Sequence, residues 1–146
     1  MFEALKEGPH IMKAVDCFQD SEARLGYISM ELYARGSLFQ VTQSLRDPIS
    51  LPDVKLLASQ LIAAISYMHD KGIVHGDIKP DNVLVKENGY IVLSDFGTSV
   101  ELCPTQEYKC FIGTHGYAAP ELYKRKVRNY FLNSTNTIML AFMRLI

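Results

Sequence analysis

An α+β fold is predicted for this chain from three observations. Segments rich in β-branched and aromatic residues come first, helical patterns second, and a hairpin with a long irregular stretch last, with no regular βαβ alternation. Residues 50–72 carry an apolar stripe at helical spacing, with a start and a stop. Residues 83–94 hold two short apolar runs around Asn88-Gly89, a strong short-range hairpin pattern.

The elements follow in chain order. Residues 10–20 (HIMKAVDCFQD) and 24–33 (RLGYISMELY) read as two strands, separated by the polar DSEA stretch. In GSLFQVTQSLRD, Ser37 and Gln40 stand at capping-box spacing, and Leu38, Val41 and Leu45 fall on one helical face. A longer helix follows. Ser50 and Asp53 suit its start, Leu57, Leu61, Ala64, Ile65 and Met68 form its apolar stripe, and Gly72 suits its stop. VLVKENGYIVLS then gives two strands around an Asn-Gly turn, and a loop long enough to be functional runs to Pro120.

With 146 residues, 48% of them hydrophobic and 21% charged, the chain is that of one ordinary globular domain. A net charge of −1 gives no general pull toward nucleic acid or anionic membrane. The three cysteines, Cys17, Cys103 and Cys110, form no C-x-x-C pair, and no signal peptide is evident. A reducing, intracellular setting (cytoplasm or nucleus) with free thiols is the expectation. The apolar end TIMLAFMRLI is too short to span a bilayer. After Glu121 there is no acid, while Lys124, Arg125, Lys126, Arg128 and Arg144 are basic.

The chemistry concentrates in HGDIKPDN, residues 75–82, and in Asp95 beyond the hairpin. A hairpin brings its two ends together, so Asp77, Lys79, Asn82 and Asp95 are expected to converge. Asn and Asp offer hard oxygen ligands suited to Mg²⁺, which keeps few protein ligands and adds phosphate oxygens. Lys79 is a point charge suited to phosphate, which leaves Asp77 to accept a proton or to orient a nucleophile. Together these residue types point to metal-assisted phosphoryl transfer. The plainer alternative makes Asp77 and Asp95 turn-capping carboxylates, since Asx turns are common.

HGDIKPDN, SDFGTS (residues 94–99) and GTHGYAAPE (residues 113–121) resemble the catalytic loop, the metal-binding DFG and the APE end of the activation segment of a protein kinase. The resemblance covers roughly residues 5 to 123 and implies the two-lobed kinase fold, present in part, from the end of the small lobe through the hinge into the large lobe. Residues 1–123 then form a partial kinase domain, and residues 124–146 a divergent basic and apolar tail. By the same resemblance Asp77 is the catalytic base or hydroxyl-orienting acid, Lys79 steadies the transferred phosphate, and Asn82 and Asp95 hold Mg²⁺. Thr114 bonds across to Asp77 and Lys79. The Lys-Pro after Ile78 is the Ser/Thr form of the loop, which implies ATP as phosphoryl donor and a protein Ser/Thr hydroxyl as acceptor. YISMELYARGSL resembles the strand and hinge that hold adenine, with Met30 as gatekeeper and the Glu31 carbonyl and Tyr33 amide facing the purine. His75 is expected to be structural, packed behind Phe96, and Glu121 a structural ion-pair member. Cys103, Cys110 and Asp81 are expected to be incidental.

The chain also departs from the family pattern. Gly76 stands where most kinases have Arg, the usual partner of an activation-loop phosphate. The 146 residues contain no G-x-G-x-x-G loop, no V-A-I-K strand, no Asp-x-Trp-x-x-Gly segment after the APE and no Trp. MFEALKEGPHIM looks like the last turns of the helix that supplies a paired Glu in kinases. The backs of residues 54–68 and 83–93 are therefore expected to lie bare, at about 1.5–3 kcal/mol per large side chain. A kinase domain truncated at both ends is one reading of these departures. An inactive, pseudokinase-like interaction fragment and a gene-model fragment are the alternatives.

Overall fold

A computed structural model describes residues 2–102 and 113–118 of the chain. Cys103, Thr105, Tyr108, Cys110, Pro120, Glu121 and the tail 124–146 lie outside the described residues. A one-turn helix α1 (Phe2–Leu5) opens the chain, as the resemblance to the end of a helix implies. Strands β1 (Ala14–Asp20) and β2 (Leu25–Met30) form an antiparallel hairpin with a bulge at Val15, between the pairs Ala14–Met30 and Asp16–Ser29. The Asp20 carboxylate accepts from the Glu22 and Ala23 amides, both at 2.9 Å, which shapes the turn.

Residues 10–13 do not belong to that strand. His10 takes a left-handed φ of 53°, and the chain then docks on β5 (Ile91–Leu93) as a parallel bridge, Ile11 beside Leu93. The bonds are Leu93 N–H to the His10 carbonyl, 2.8 Å, and Met12 N–H to the Leu93 carbonyl, 2.9 Å. Leu5, Ile11 and Met12 are buried there. The apolar pattern of 10–20 is continuous, but it serves two different surfaces.

Helix α2 (Leu38–Ser44) begins with the predicted capping box. The Gln40 amide donates to Ser37 Oγ at 3.3 Å, and the Ser37 amide donates back to Gln40 Oε1 at 2.9 Å. The helix ends one residue before Leu45, which caps it in extended conformation and stays exposed instead of joining the face of Leu38 and Val41. Helix α3 (Leu51–Asp70) starts on Ser50, whose hydroxyl accepts from the Asp53 amide, and stops where Gly72 turns left-handed at φ 71°. Its buried face is Gln60, Leu61, Ala64, Ile65 and Met68, with Leu57 half-buried at the edge.

That face packs on strand β3 (Ile73–Val74) and on the hairpin of β4 (Val83–Val85) and β5. The hairpin closes through Lys86 N–H to the Tyr90 carbonyl, 2.8 Å, and Gly89 N–H to the Lys86 carbonyl, 2.9 Å. Gly89 alone of the loop residues has positive φ, 82°. The connection is thus a three-residue loop with glycine in the left-handed position, not the two-residue Asn-Gly turn that the pattern suggested. The backbone of Gly36 and Ser37 flanks β4 as residues 10–12 flank β5. Beyond the hairpin, β6 (Val100–Glu101) returns to pair with β3.

The back of α3 is bare in part, and that of the hairpin is not. Leu61, Ala64, Ile65, Met68, Val83, Val85, Ile91, Val92 and Leu93 bury one another, with Leu56 and Ile62 left exposed. Apolar exposure concentrates on β1 and β2, where Val15 is 74% exposed and Phe18, Leu25, Tyr27, Ile28 and Met30 are also open. A two-stranded hairpin has two open faces and little cover of its own. No helix among the described residues is long and apolar enough to cross a membrane.

This division of burial predicts unequal costs. Met68→Ala, at a side chain 1% exposed, should lower the unfolding free energy by about 2–5 kcal/mol. Val15→Ala should stay within about 0.5 kcal/mol. Urea unfolding of the chain reads both, and equal shifts would mean that α3 does not form the core.

Candidate active site

Strand β3 feeds the segment 75–82 into the mouth of the hairpin. Gly76, at φ 87°, reverses the chain. Ile78 and Pro80 then turn inward and are buried, so the intervening Asp77, Lys79 and Asp81 are directed away from the core. A 3₁₀ turn, Pro80–Asn82, brings Asn82 back under the loop.

There the polar groups converge. Lys79 Nζ lies 2.8 Å from Asp77 Oδ2 and donates to Thr114 Oγ1 at 2.8 Å. Asn82 Nδ2 donates to the Asp77 carbonyl at 2.8 Å and to Asp77 Oδ2 at 3.3 Å. Asp77 Oδ1 is buried and meets no hydrogen-bond donor among the described residues. Burial alone would raise the Asp77 carboxyl, but the Lys79 ammonium and the polar groups of Thr114 beside it outweigh that and hold it below the usual carboxylate range. The same contact with Asp77 raises Lys79, against its own desolvation, with help from Asp81 and Asp95.

Asp95 reaches this cluster through Ser94. The amide and hydroxyl of Ser94 both donate to the Asn82 carbonyl, at 2.8 and 2.9 Å. The next residue, Asp95, is left-handed at φ 60° and exposed, and its carboxylate accepts from the Gly97 amide at 3.3 Å. Asn82 has both amide protons directed at Asp77, so its side-chain oxygen is turned away from that bond.

His75 joins the two halves from below. It is 2% exposed. Its Nε2 lies 2.8 Å from the Ser94 carbonyl, and the Asp77 amide donates to its Nδ1 at 3.2 Å. A carbonyl on one side and an N–H on the other select one neutral tautomer, with the proton on Nε2. The Phe96 ring meets the imidazole edge-on at 5.4 Å. The Thr98 and Ser99 hydroxyls donate to the His75 carbonyl. Burial pushes the imidazole below the usual histidine range, against the Ser94 carbonyl and the charges of Asp77 and Asp95.

The hinge residues stand apart from this cluster. Met30 ends β2 opposite Ala14 and is half-exposed. Glu31 lies 3.9 Å from Lys86, and the Gly36 amide donates to the Tyr33 carbonyl, which leaves the Tyr33 amide out of that turn. Burial and then the Glu31 charge raise the Tyr33 phenol. Glu31 and Tyr33 line a cavity of about 430 Å³ with Pro9, His10, Lys86 and Tyr90, and none of the residues 75–82 is in its lining.

Two supporting residues were not singled out from the sequence. Gln60 Oε1 accepts from the Ile91 amide at 2.8 Å and ties α3 to the hairpin. Ser94 couples Asn82 to Asp95. The first is marked in sequence by a polar side chain inside an apolar stripe, but Ser94 carries no comparable mark.

A helix-backed hairpin with an acid, a lysine and an amide at one end, and a second carboxylate just past its last strand, is protein-kinase architecture of the α+β class. The protein kinase domain model matches residues 1–134. The phosphorylase b kinase gamma catalytic chain, liver/testis isoform, of Bos taurus is 35% identical over 116 residues, covering 80% of this chain and 28% of that one. The serine/threonine-protein kinase PSK2 of Saccharomyces cerevisiae is 36% identical over 118 residues, 77% of this chain and 10% of that one. Sperm motility kinase 2B of Mus musculus is 36% identical over 96 residues, 66% and 20%. The chain belongs to the protein kinase family, and it spans less than a third of the length of these relatives.

The neutral His75 has a pH consequence. The folded state refuses a proton that the unfolded histidine accepts near pH 6.5. The unfolded state then binds more protons, so stability is full above that value and falls as pH drops from about 7 toward 5, by at most about 1.4 kcal/mol per unit for one proton. His69, also lowered by burial, adds in the same direction. Urea midpoints between these pH values should fall more steeply for the wild type than for His75→Gln, and parallel curves would remove the neutral assignment.

Proposed function

We propose that this chain carries the catalytic portion of a protein serine/threonine kinase, which transfers the ATP γ-phosphoryl group to protein Ser or Thr hydroxyls. The observation that supports it most is Asp77 Oδ1, a buried carboxylate oxygen that meets no donor at hydrogen-bond geometry among the described residues, beside a lysine that is held at 2.8 Å on the other oxygen. Leaving a buried acceptor unmet costs about 1–3 kcal/mol. A substrate hydroxyl donating to Oδ1 would meet it.

The low proton affinity of Asp77 makes it ionised at neutral pH and a weak proton acceptor. Its first task is therefore to orient the hydroxyl for attack, taking the proton late. Lys79, fixed between Asp77 and Thr114, presents positive charge beside the reacting oxygen, where a transferred phosphoryl group would carry negative charge. Thr114 holds the lysine in that place.

The donor set also fits Mg²⁺. Asn82 and Asp95 offer an amide oxygen and an exposed carboxylate on adjoining backbone, and no cluster of three His, Cys, Asp or Glu side chains occurs among the described residues. A few oxygen ligands suit an ion that completes its shell with phosphate and water. Bound there, it would neutralise phosphate charge. The hinge stretch Met30, Glu31 and Tyr33 is the proposed adenine contact, through the Glu31 carbonyl and Tyr33 amide. An inactive, interaction-only fragment is the rival, and the unmet oxygen of Asp77 speaks against it.

In the full protein, Asp77→Asn should lower turnover by at least about a hundredfold and leave Mg-nucleotide affinity nearly unchanged. Asp95→Asn should weaken Mg-nucleotide binding instead. Transfer assays with calorimetry read both, and wild-type turnover in Asp77→Asn would sink the role given to Asp77.

Gly76 has no guanidinium to receive a phosphate at Thr105 or Tyr108. Phosphatase treatment should therefore cost less than about tenfold in activity. A loss of about a hundredfold would assign the clamp to another base, Lys109 or Lys124.

A further inference from the structure

Thr114 reaches Lys79 from a segment, residues 113–118, that is far from it in sequence and shares no helix or strand with it. Lysine is a flexible point charge and does not by itself dictate where its partner stands. Something in the backbone must place the hydroxyl. Two contacts frame it. After Thr114, the amides of Tyr117 and Ala118 both donate to the Thr114 carbonyl, at 3.0 and 3.1 Å, and Ala118 is buried. Before it stands Gly113, at φ 117°.

A Cβ at Gly113 would lie 2.7 Å from the Gly76 carbonyl oxygen and 3.9 Å from Asp77 Oδ1. The first approach is too short for any side chain, and its partner is backbone, which cannot swing aside. Gly76 is itself left-handed at φ 87°. Two bare backbones therefore touch where the returning segment meets the loop of Asp77. At Gly8 and Gly36 an added Cβ would also crowd its neighbours, but those are side-chain atoms and not backbone. At Gly72 and Gly89, also of positive φ, a Cβ would meet nothing within 4 Å, so turn geometry alone explains them.

We propose that Gly113 is a positioning residue of the active site: its missing side chain lets segment 113–118 press on the Gly76 carbonyl, and this contact sets the Thr114 hydroxyl on Lys79. Its effect on turnover rests on the kinase reading. Its effect on the Lys79–Thr114 bond rests on geometry alone.

The test uses the full protein with ¹³Cε-labelled lysine. Gly113→Ala should displace the Lys79 resonance in the same direction as Thr114→Ala does, and leave Lys55 in α3 where it was. Gly89→Ala, at another glycine of positive φ but with open space around it, should move neither. In the transfer assay Gly113→Ala should lower kcat by about a hundredfold, the scale of a misplacement near 1 Å. KM for the nucleotide should change less than about threefold. Added to Thr114→Ala, it should cost little more. An unmoved Lys79 resonance in Gly113→Ala overturns the proposal. So does a kcat loss that is as large on the Thr114→Ala background as on the wild type. A wild type without transfer activity removes the kinase reading, and the Lys79 resonance then still decides on Gly113.

Discussion

The site depends on one buried imidazole. His75 accepts from the Asp77 amide and donates to the Ser94 carbonyl, so a single ring sets the distance between the strand that leads into the loop of Asp77 and the strand that leaves the hairpin. The bond pattern requires the neutral form. A proton on Nδ1 would place two donors face to face, at the backbone of Asp77. Phe96 seals the ring from one side, and two hydroxyls hold its backbone carbonyl. Charge is thereby kept out of the floor of the site and concentrated on its open side.

Around that floor the chain accepts several local departures from ordinary backbone and polar pairing. Asp95 is left-handed without being glycine, Gly76 and Gly113 have positive φ, and Asp77 Oδ1 has no donor. Such departures persist where the surroundings over-determine them. Here the surroundings are the paired ends of β4 and β5, the two hydrogen bonds from Ser94 to the Asn82 carbonyl, and the buried anchors Ile78 and Pro80. These four departures fall within residues 76–82, 94–95 and 113–114; outside the site, His10 and Arg24 are also left-handed, and Gln60 Nε2 of α3 is buried without a hydrogen-bond partner among the described residues.

Burial is unevenly distributed. The core formed by α3, β3 and the β4–β5 hairpin is closed against itself, and residues 10–12 complete it along the outer edge of β5. The β1–β2 hairpin has little cover by comparison. The cluster of Asp77, Lys79, Asn82 and Thr114 stands on the closed part. The hinge, between the two, joins a well-packed body to an apolar ribbon and carries the backbone groups proposed to meet adenine.

Local chemistry was legible in the sequence wherever one stretch of chain determines it. The capping box at Ser37, the N-cap at Ser50, the stripe of α3 and the stop at Gly72 follow from residue type and spacing, and the family from the resemblance carried by HGDIKPDN, SDFGTS and GTHGYAAPE. What required the tertiary structure was every choice between surfaces. Residues 10–20 look like one strand, because periodicity cannot say that Ile11 faces β5 while Val15 faces solvent. The hairpin looked like a two-residue turn, because Asn-Gly is compatible with both loop lengths and only the Lys86–Tyr90 bond selects one. The back of the hairpin looked bare and is buried, because a sequence does not show what packs on it, whereas the back of α3 is exposed in part at Leu56 and Ile62. Nothing in the sequence marks the close approach at Gly113, because the carbonyl it must admit belongs to a residue 37 positions earlier, and a close approach of two distant backbones leaves no mark in either stretch alone.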